Sequence, residues 1–133
     1  MSKFLVVDDD AAAVRAMTRL LRSDGHQVSS FTAGADAIDA LPREPFDAVL
    51  TDFDMPHVDG EQVARAARLY VPRACLMVVS ASDNARRLRD VGACFVHGKP
   101  FDYGRVVGIV DRCRASGGPT DAACSLRGEC DDD

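Results

Sequence analysis

Carboxylates at Asp8, Asp9 and Asp52, a hydroxyl at Ser80 and an ammonium at Lys99 are the groups in this chain whose types and spacing could do chemistry together. The chemistry would be phosphoryl transfer. Asp52 closes the apolar run Ala48-Val49-Leu50 and is followed by Phe53-Asp54-Met55-Pro56 and then Asp59-Gly60. A strand that stops on an acid and opens into a turn presents that acid at the end of a sheet, where open parallel sheets gather their ligand chemistry. Asp52 is therefore read as a nucleophile that accepts a phosphoryl group. Asp8 and Asp9 end another apolar run, Phe4-Leu5-Val6-Val7; Ser80 follows Cys75-Leu76-Met77-Val78-Val79; Lys99 follows Cys94-Phe95-Val96 by way of His97-Gly98. Carboxylates gathered at one edge repel unless a cation sits among them. Mg2+ suits that role, because it takes one or two carboxylates and completes its shell with water and phosphate oxygens. Asp9 and Asp52 are the expected direct ligands, with Asp8 acting through a water. Once Asp52 carries phosphate, Lys99 can pair with one phosphoryl oxygen and Ser80 can donate to another. Phosphoryl transfer passes through a loose transition state, so positioning and charge neutralisation supply most of the catalysis.

The elements that must position these groups follow from hydropathy. Phe4 to Val7, and Cys75 to Val79, are continuously apolar, as strands buried on both faces are. A helix is expected after Asp10, which can cap it, with Val14, Met17, Leu20 and Leu21 inward and Gly25 at its end. A short strand from His26 to Phe31 precedes a second helix, Gly34 to Leu41, with Ala37, Ile38 and Leu41 inward and Pro42 and Pro45 closing it. A third helix follows Gly60, with Val63, Ala67 and Tyr70 inward and a stop near Pro72. A fourth runs from Ala85 to Val91, ended by Gly92. The fifth strand is expected over Cys94-Phe95-Val96, and Asp102 can cap a fifth helix carrying Val106, Val107, Val110 and Cys113. Strands alternating with helices predict an α/β fold with a parallel sheet, helices on both faces and right-handed crossovers.

Composition bounds the rest. A chain of 133 residues, 47% hydrophobic and 28% charged, fits one globular domain. No apolar run is long enough to span a bilayer, and Met1-Ser2-Lys3 leads straight into strand-like sequence, which leaves no room for a signal peptide. The net charge of −5 disfavours sequence-independent binding to nucleic acid. Five cysteines, an odd number without secretory context, point to free thiols in a reducing cytoplasm. Cys75, Cys94 and Cys113 are expected as core packing. Cys124 and Cys130 lack the neighbours a zinc site needs. Asp10 reads as a cap, and His57 and His97 as surface residues. The chain divides into a domain over residues 1–115 and an acidic, flexible tail over 116–133, where Gly117-Gly118-Pro119 opens a stretch too polar to offset its ordering entropy.

The chain resembles a response-regulator receiver domain of two-component signalling over roughly residues 3 to 115. The resemblance rests on Phe4-Leu5-Val6-Val7-Asp8-Asp9, on Asp52 with Met55-Pro56 and Asp59-Gly60, on Ser80-Ala81, and on Lys99-Pro100-Phe101. It implies a flavodoxin-like, doubly wound sheet of five strands in order 2-1-3-4-5, and Mg2+ with the backbone carbonyl of Asp54 as a further ligand. It implies a phosphohistidine donor on a sensor histidine kinase or histidine phosphotransfer protein. Slow self-dephosphorylation would be tuned by Asp54 and Ser82. An output protein or domain would be engaged through the fourth helix, fifth strand and fifth helix, a face also open to a second copy of the chain; neither nucleic acid nor membrane is touched directly. Three departures bear on output. Ser80 stands where threonine is common. Val96 stands where an aromatic usually reports phosphorylation, with Phe95 expected on the other side of the strand. The interval from Ser80 to Lys99 is short by about one helical turn, which shortens the fourth helix. Gly104 and Gly108 further weaken the fifth, at roughly 1 kcal/mol each against alanine. Two other functions fit parts of the pattern. Asp52-Phe53-Asp54 matches the fragment used by haloacid-dehalogenase-type phosphatases, although that family places its nucleophile strand first. A phosphorylation-independent adaptor would need only the fold.

Overall fold

The computed structural model describes residues 2–80 and 95–98, together with Gly104, Val107 and Gly108. Five parallel strands form one sheet in the order β2-β1-β3-β4-β5. In chain order they are β1 (Lys3–Val7), β2 (Gln27–Phe31), β3 (Ala48–Asp52), β4 (Cys75–Ser80) and β5 (Phe95–Gly98). Three helices connect them among the described residues: α1 (Ala11–Ser23), α2 (Gly34–Ala40) and α3 (Gly60–Tyr70). A 3-10 turn over Leu41–Arg43 follows α2. The expected fourth helix, including its shortening, and most of the expected fifth lie outside the described residues. Gly104, Val107 and Gly108 have helical backbone, as the fifth helix requires.

The strands are apolar throughout because each face of the sheet meets its own layer of helices. Leu5, Val7, Val49, Leu76 and Val78 pack with Ala37 and Leu41 on one side and with Val63, Ala64 and Ala67 of α3. The alternate residues Phe4, Val6, Ala48, Leu50, Cys75, Met77 and Val79 pack with Leu21 and, less completely buried, Met17 of α1 and Val107. The period of two along each strand thus divides the core between the two layers.

Local signals account for the helix boundaries. The Asp10 carboxylate accepts from the backbone N–H of Ala12 (3.0 Å) and Ala13 (3.4 Å), so it caps α1 as expected. Gly25 ends that helix at φ +89°, a conformation L side chains avoid. The α3 start carries a capping box: the Asp59 side chain accepts from the Gln62 N–H, and the Gln62 side chain accepts from the Asp59 N–H, each at 3.1 Å.

Two inward assignments and one strand boundary are corrected. Leu20 is 45% exposed, and Thr18 takes the buried place, because Val14, Thr18 and Leu21 form the stripe that faces the sheet. Tyr70 is 47% exposed because α3 ends there and the chain turns, putting Val71 inside. The fifth strand extends to Gly98 rather than stopping at Val96. Val79 and Ser80 at the end of β4 pair with His97 and Gly98, which gives those strand-end residues a neighbour.

Candidate functional site

Sheet register builds the site. Val7 of β1 lies beside Thr51 of β3, so the next residue of each strand, Asp8 and Asp52, emerges at the same edge. Asp52 in turn pairs with Val79, which sets Ser80 at that edge too. Parallel strands all end their C-termini together, and this is why residues 44 and 28 positions apart become neighbours: 52 − 8 and 80 − 52.

The carboxylate oxygens of Asp8, Asp9 and Asp52 can be chosen so that all lie within 4.8 Å of one another. Asp8 and Asp52 are buried, at 8% and 4% exposure, and Asp9 is exposed. One Asp8 oxygen accepts from the Asp10 N–H at 3.0 Å, which orients the carboxylate where β1 gives way to α1. Asp8 and Asp52, with Val6, Leu50 and Val79, line a cavity of about 480 Å³ on the α1 side of the sheet. Three carboxylates so close are a hard, all-oxygen donor set, two of them buried at the sheet edge. That set fits Mg2+ or Ca2+ and has nothing to offer a thiophilic metal. Asp10 is not among the three; its side chain is occupied as the α1 cap.

The loop after β3 is fixed by its own backbone. The Phe53 N–H donates to Val79 O (2.8 Å), which carries the β3–β4 contact one residue past the strand, and the Gly60 N–H donates to Phe53 O (2.9 Å). Gly60 lies so near the site strand that a Cβ there would meet Asp52 O and Phe53 Cα at 2.5 Å. Only glycine permits that approach. His57 adopts φ +66° in the same loop and is exposed, consistent with the surface role expected of it.

The structure brings the carboxylates of Asp8, Asp9 and Asp52 together and sets Ser80 at the same edge of the sheet. It also shows a contact that the sequence reading missed. The Ser80 hydroxyl, fully buried, donates to the Asp54 carboxylate at 2.7 Å. The Asp54 side chain thus engages the strand-end hydroxyl, a contact separate from the backbone carbonyl that the resemblance assigns to the cation. No local signal could have found this bond, which spans 26 residues of sequence. Lys99, Ser82 and the Cys-containing tail lie outside the described residues, as do the side chains of Phe95 and Val96. Among the described residues no helix is long and apolar enough to cross a membrane.

Comparison with known proteins agrees with this geometry. A family model described as the response regulator receiver domain matches residues 4–111. The response regulator receiver protein CpdR of Brucella abortus is 35% identical over 80 residues, which is 60% of this chain and 67% of CpdR. The transcriptional regulatory protein PcoR of Escherichia coli is 28% identical over 113 residues, 83% of this chain but only 50% of PcoR, so the chain spans about half of that relative. Among solved structures, the receiver domain of the sensor histidine kinase PA1611 from Pseudomonas aeruginosa PAO1 superposes with a TM-score of 0.75 at 25% identity. That match covers 84% of this chain and 95% of the neighbour, which holds a magnesium ion coordinated in its active-site cleft.

Proposed function

Because the chain belongs to the response regulator receiver domain family of two-component signalling, we propose that it is a phosphoacceptor whose Asp52 takes a phosphoryl group from a phosphohistidine. The observation that carries this reading is the cluster of Asp8, Asp9 and Asp52 oxygens within 4.8 Å at the C-terminal edge of the sheet. Asp9 and Asp52 would hold Mg2+, with Asp8 acting through a water and the Asp54 carbonyl completing the protein ligands. The cation supplies charge neutralisation for the incoming phosphoryl oxygens. A carboxylate oxygen of Asp52 attacks phosphorus, the P–N bond to the donor imidazole breaks, and an acyl phosphate forms. Ser80 and Lys99 would each engage a phosphoryl oxygen afterwards, one as hydrogen-bond donor and one as counter-charge. The burial of Asp52 supports this division of labour, since it limits water at the reacting carboxylate.

The donor would be a sensor histidine kinase or histidine phosphotransfer protein, and phosphorylation would bias a pre-existing equilibrium that an output protein or domain reads. The chain would act in the cytoplasm, with residues 1–115 as the receiver and 116–133 as a tail. Intact mass after incubation with Mg2+ and acetyl phosphate tests the core of the reading. One labile phosphate is expected on the wild type and none on Asp52→Asn. A wild type that stays unmodified, or that hydrolyses an aryl phosphate through many turnovers, would contradict it.

A further inference from the structure

The Ser80–Asp54 hydrogen bond has a consequence for the site's resting state, given the reading of Asp52 as phosphoacceptor. A serine hydroxyl has one proton to donate. In this structure that proton is directed at a carboxylate, at an O···O distance of 2.7 Å. Ser80 sits at the end of β4 with 0% exposure, so its rotation is confined. Asp54 stands two residues past Asp52, on the loop that Phe53 and Gly60 pin to the sheet. The geometry points to Asp54 as a positioning residue that latches Ser80. Its carboxylate holds the hydroxyl proton that an acyl phosphate on Asp52 would need, so the phosphorylated arrangement forms only when Ser80 changes acceptor.

The exchange needs no co-reactant. A phosphoryl group adds roughly two negative charges at neutral pH. Those charges repel the Asp54 carboxylate and offer Ser80 a stronger acceptor. The hydroxyl then turns about its Cα–Cβ bond from one oxygen to the other; one hydrogen bond is lost and one is made. The latch therefore opposes the activated form before phosphate arrives and releases when it does, which sets the threshold of the switch.

Two measurements test the latch, one of them without metal or phosphate. In the resting wild type, Hα–Hβ couplings of Ser80 measured by NMR are expected to report a single side-chain rotamer. Asp54→Ala should give rotamer averaging, and Asp54→Asn, which retains an acceptor oxygen, should restore most of the order. Averaging already present in the wild type overturns the latch. The second measurement is the affinity for beryllofluoride at millimolar Mg2+, taken through the cycle of wild type, Asp54→Ala, Ser80→Ala and the double variant. Freeing a hydroxyl from one net hydrogen bond corresponds to about 3- to 10-fold tighter binding for Asp54→Ala. In the Ser80→Ala background the same change should have little effect. An equal factor in both backgrounds would mean that Asp54 acts by charge alone and would overturn the proposal, as would weaker binding by Asp54→Ala. Acetyl phosphate labelling of the wild type separates the two readings: if it fails, the role of Asp52 falls and the latch's regulatory role with it, whereas labelling with a disordered Ser80 removes the latch alone.

Discussion

Asp8, Asp9 and Asp52 differ in burial, and under the proposed Mg2+ site that difference decides which of them can be tested without disturbing the fold. Asp8 and Asp52 are buried and held by the strands, whereas Asp9 is exposed and reaches the cluster from the start of the loop. An exposed carboxylate can be removed without leaving a buried polar void, so Asp9→Ala isolates the ligand contribution from folding. Its Mg2+ dissociation constant, measured by titration calorimetry, should rise about tenfold or more, or ~1.4 kcal/mol. Unchanged affinity would remove Asp9 from the ligand set. Asp54 is the residue where sequence reading stopped short. Its place after Asp52 was legible, but an acceptor for a side chain 26 positions away has no local signature.

At the scale of elements, glycine placement separates what the site demands from what the helices tolerate. Gly60 begins α3 against the backbone of Asp52 and Phe53, at 2.5 Å from an added Cβ. Gly60→Ala must push the Asp52–Phe53 backbone aside, so acetyl phosphate labelling should slow several-fold even in folded protein; wild-type labelling rates would show that the loop yields harmlessly. Gly108 is the opposite case, with helical backbone and nothing within 4 Å of an added Cβ. Gly108→Ala should stabilise the protein by about 0.5–1 kcal/mol in denaturant unfolding. A destabilised variant would mean that the site is not an open helical position. Strand and helix identities were legible because apolar runs and caps are local. The errors fell at helix faces and strand ends: Leu20 and Tyr70 have the right type for the core, but the direction of the helix and the turn at Val71 decide which residue is covered.

For the whole molecule, the sheet is both scaffold and core. Leu76 is fully buried in the interior strand β4, between β3 and β5, and packs in the layer that also contains Val63 and Ala67 of α3. Leu76→Ala should cost about 2–5 kcal/mol in equilibrium unfolding, the range for deleting a buried leucine side chain. A loss under 1 kcal/mol would show that the layer collapses around the gap. Because β3 and β4 carry Asp52 and Ser80 at their ends, such a loss also loosens the site that the core holds in place.

The order of residues along the chain was enough to name candidate groups for chemistry and to predict that strands would deliver Asp8, Asp52 and Ser80 to one edge. Apolar runs ending on Asp8, Asp52 and Ser80 are one-dimensional facts, and parallel strands have a single C-terminal side. Which side chain meets which was decided only in three dimensions. Register sets Asp8 beside Asp52, the tight approach of Gly60 fixes the loop between, and the Asp54 carboxylate reaches Ser80 across that loop. Such distances depend on packing summed over the whole core, and no stretch of sequence contains that sum.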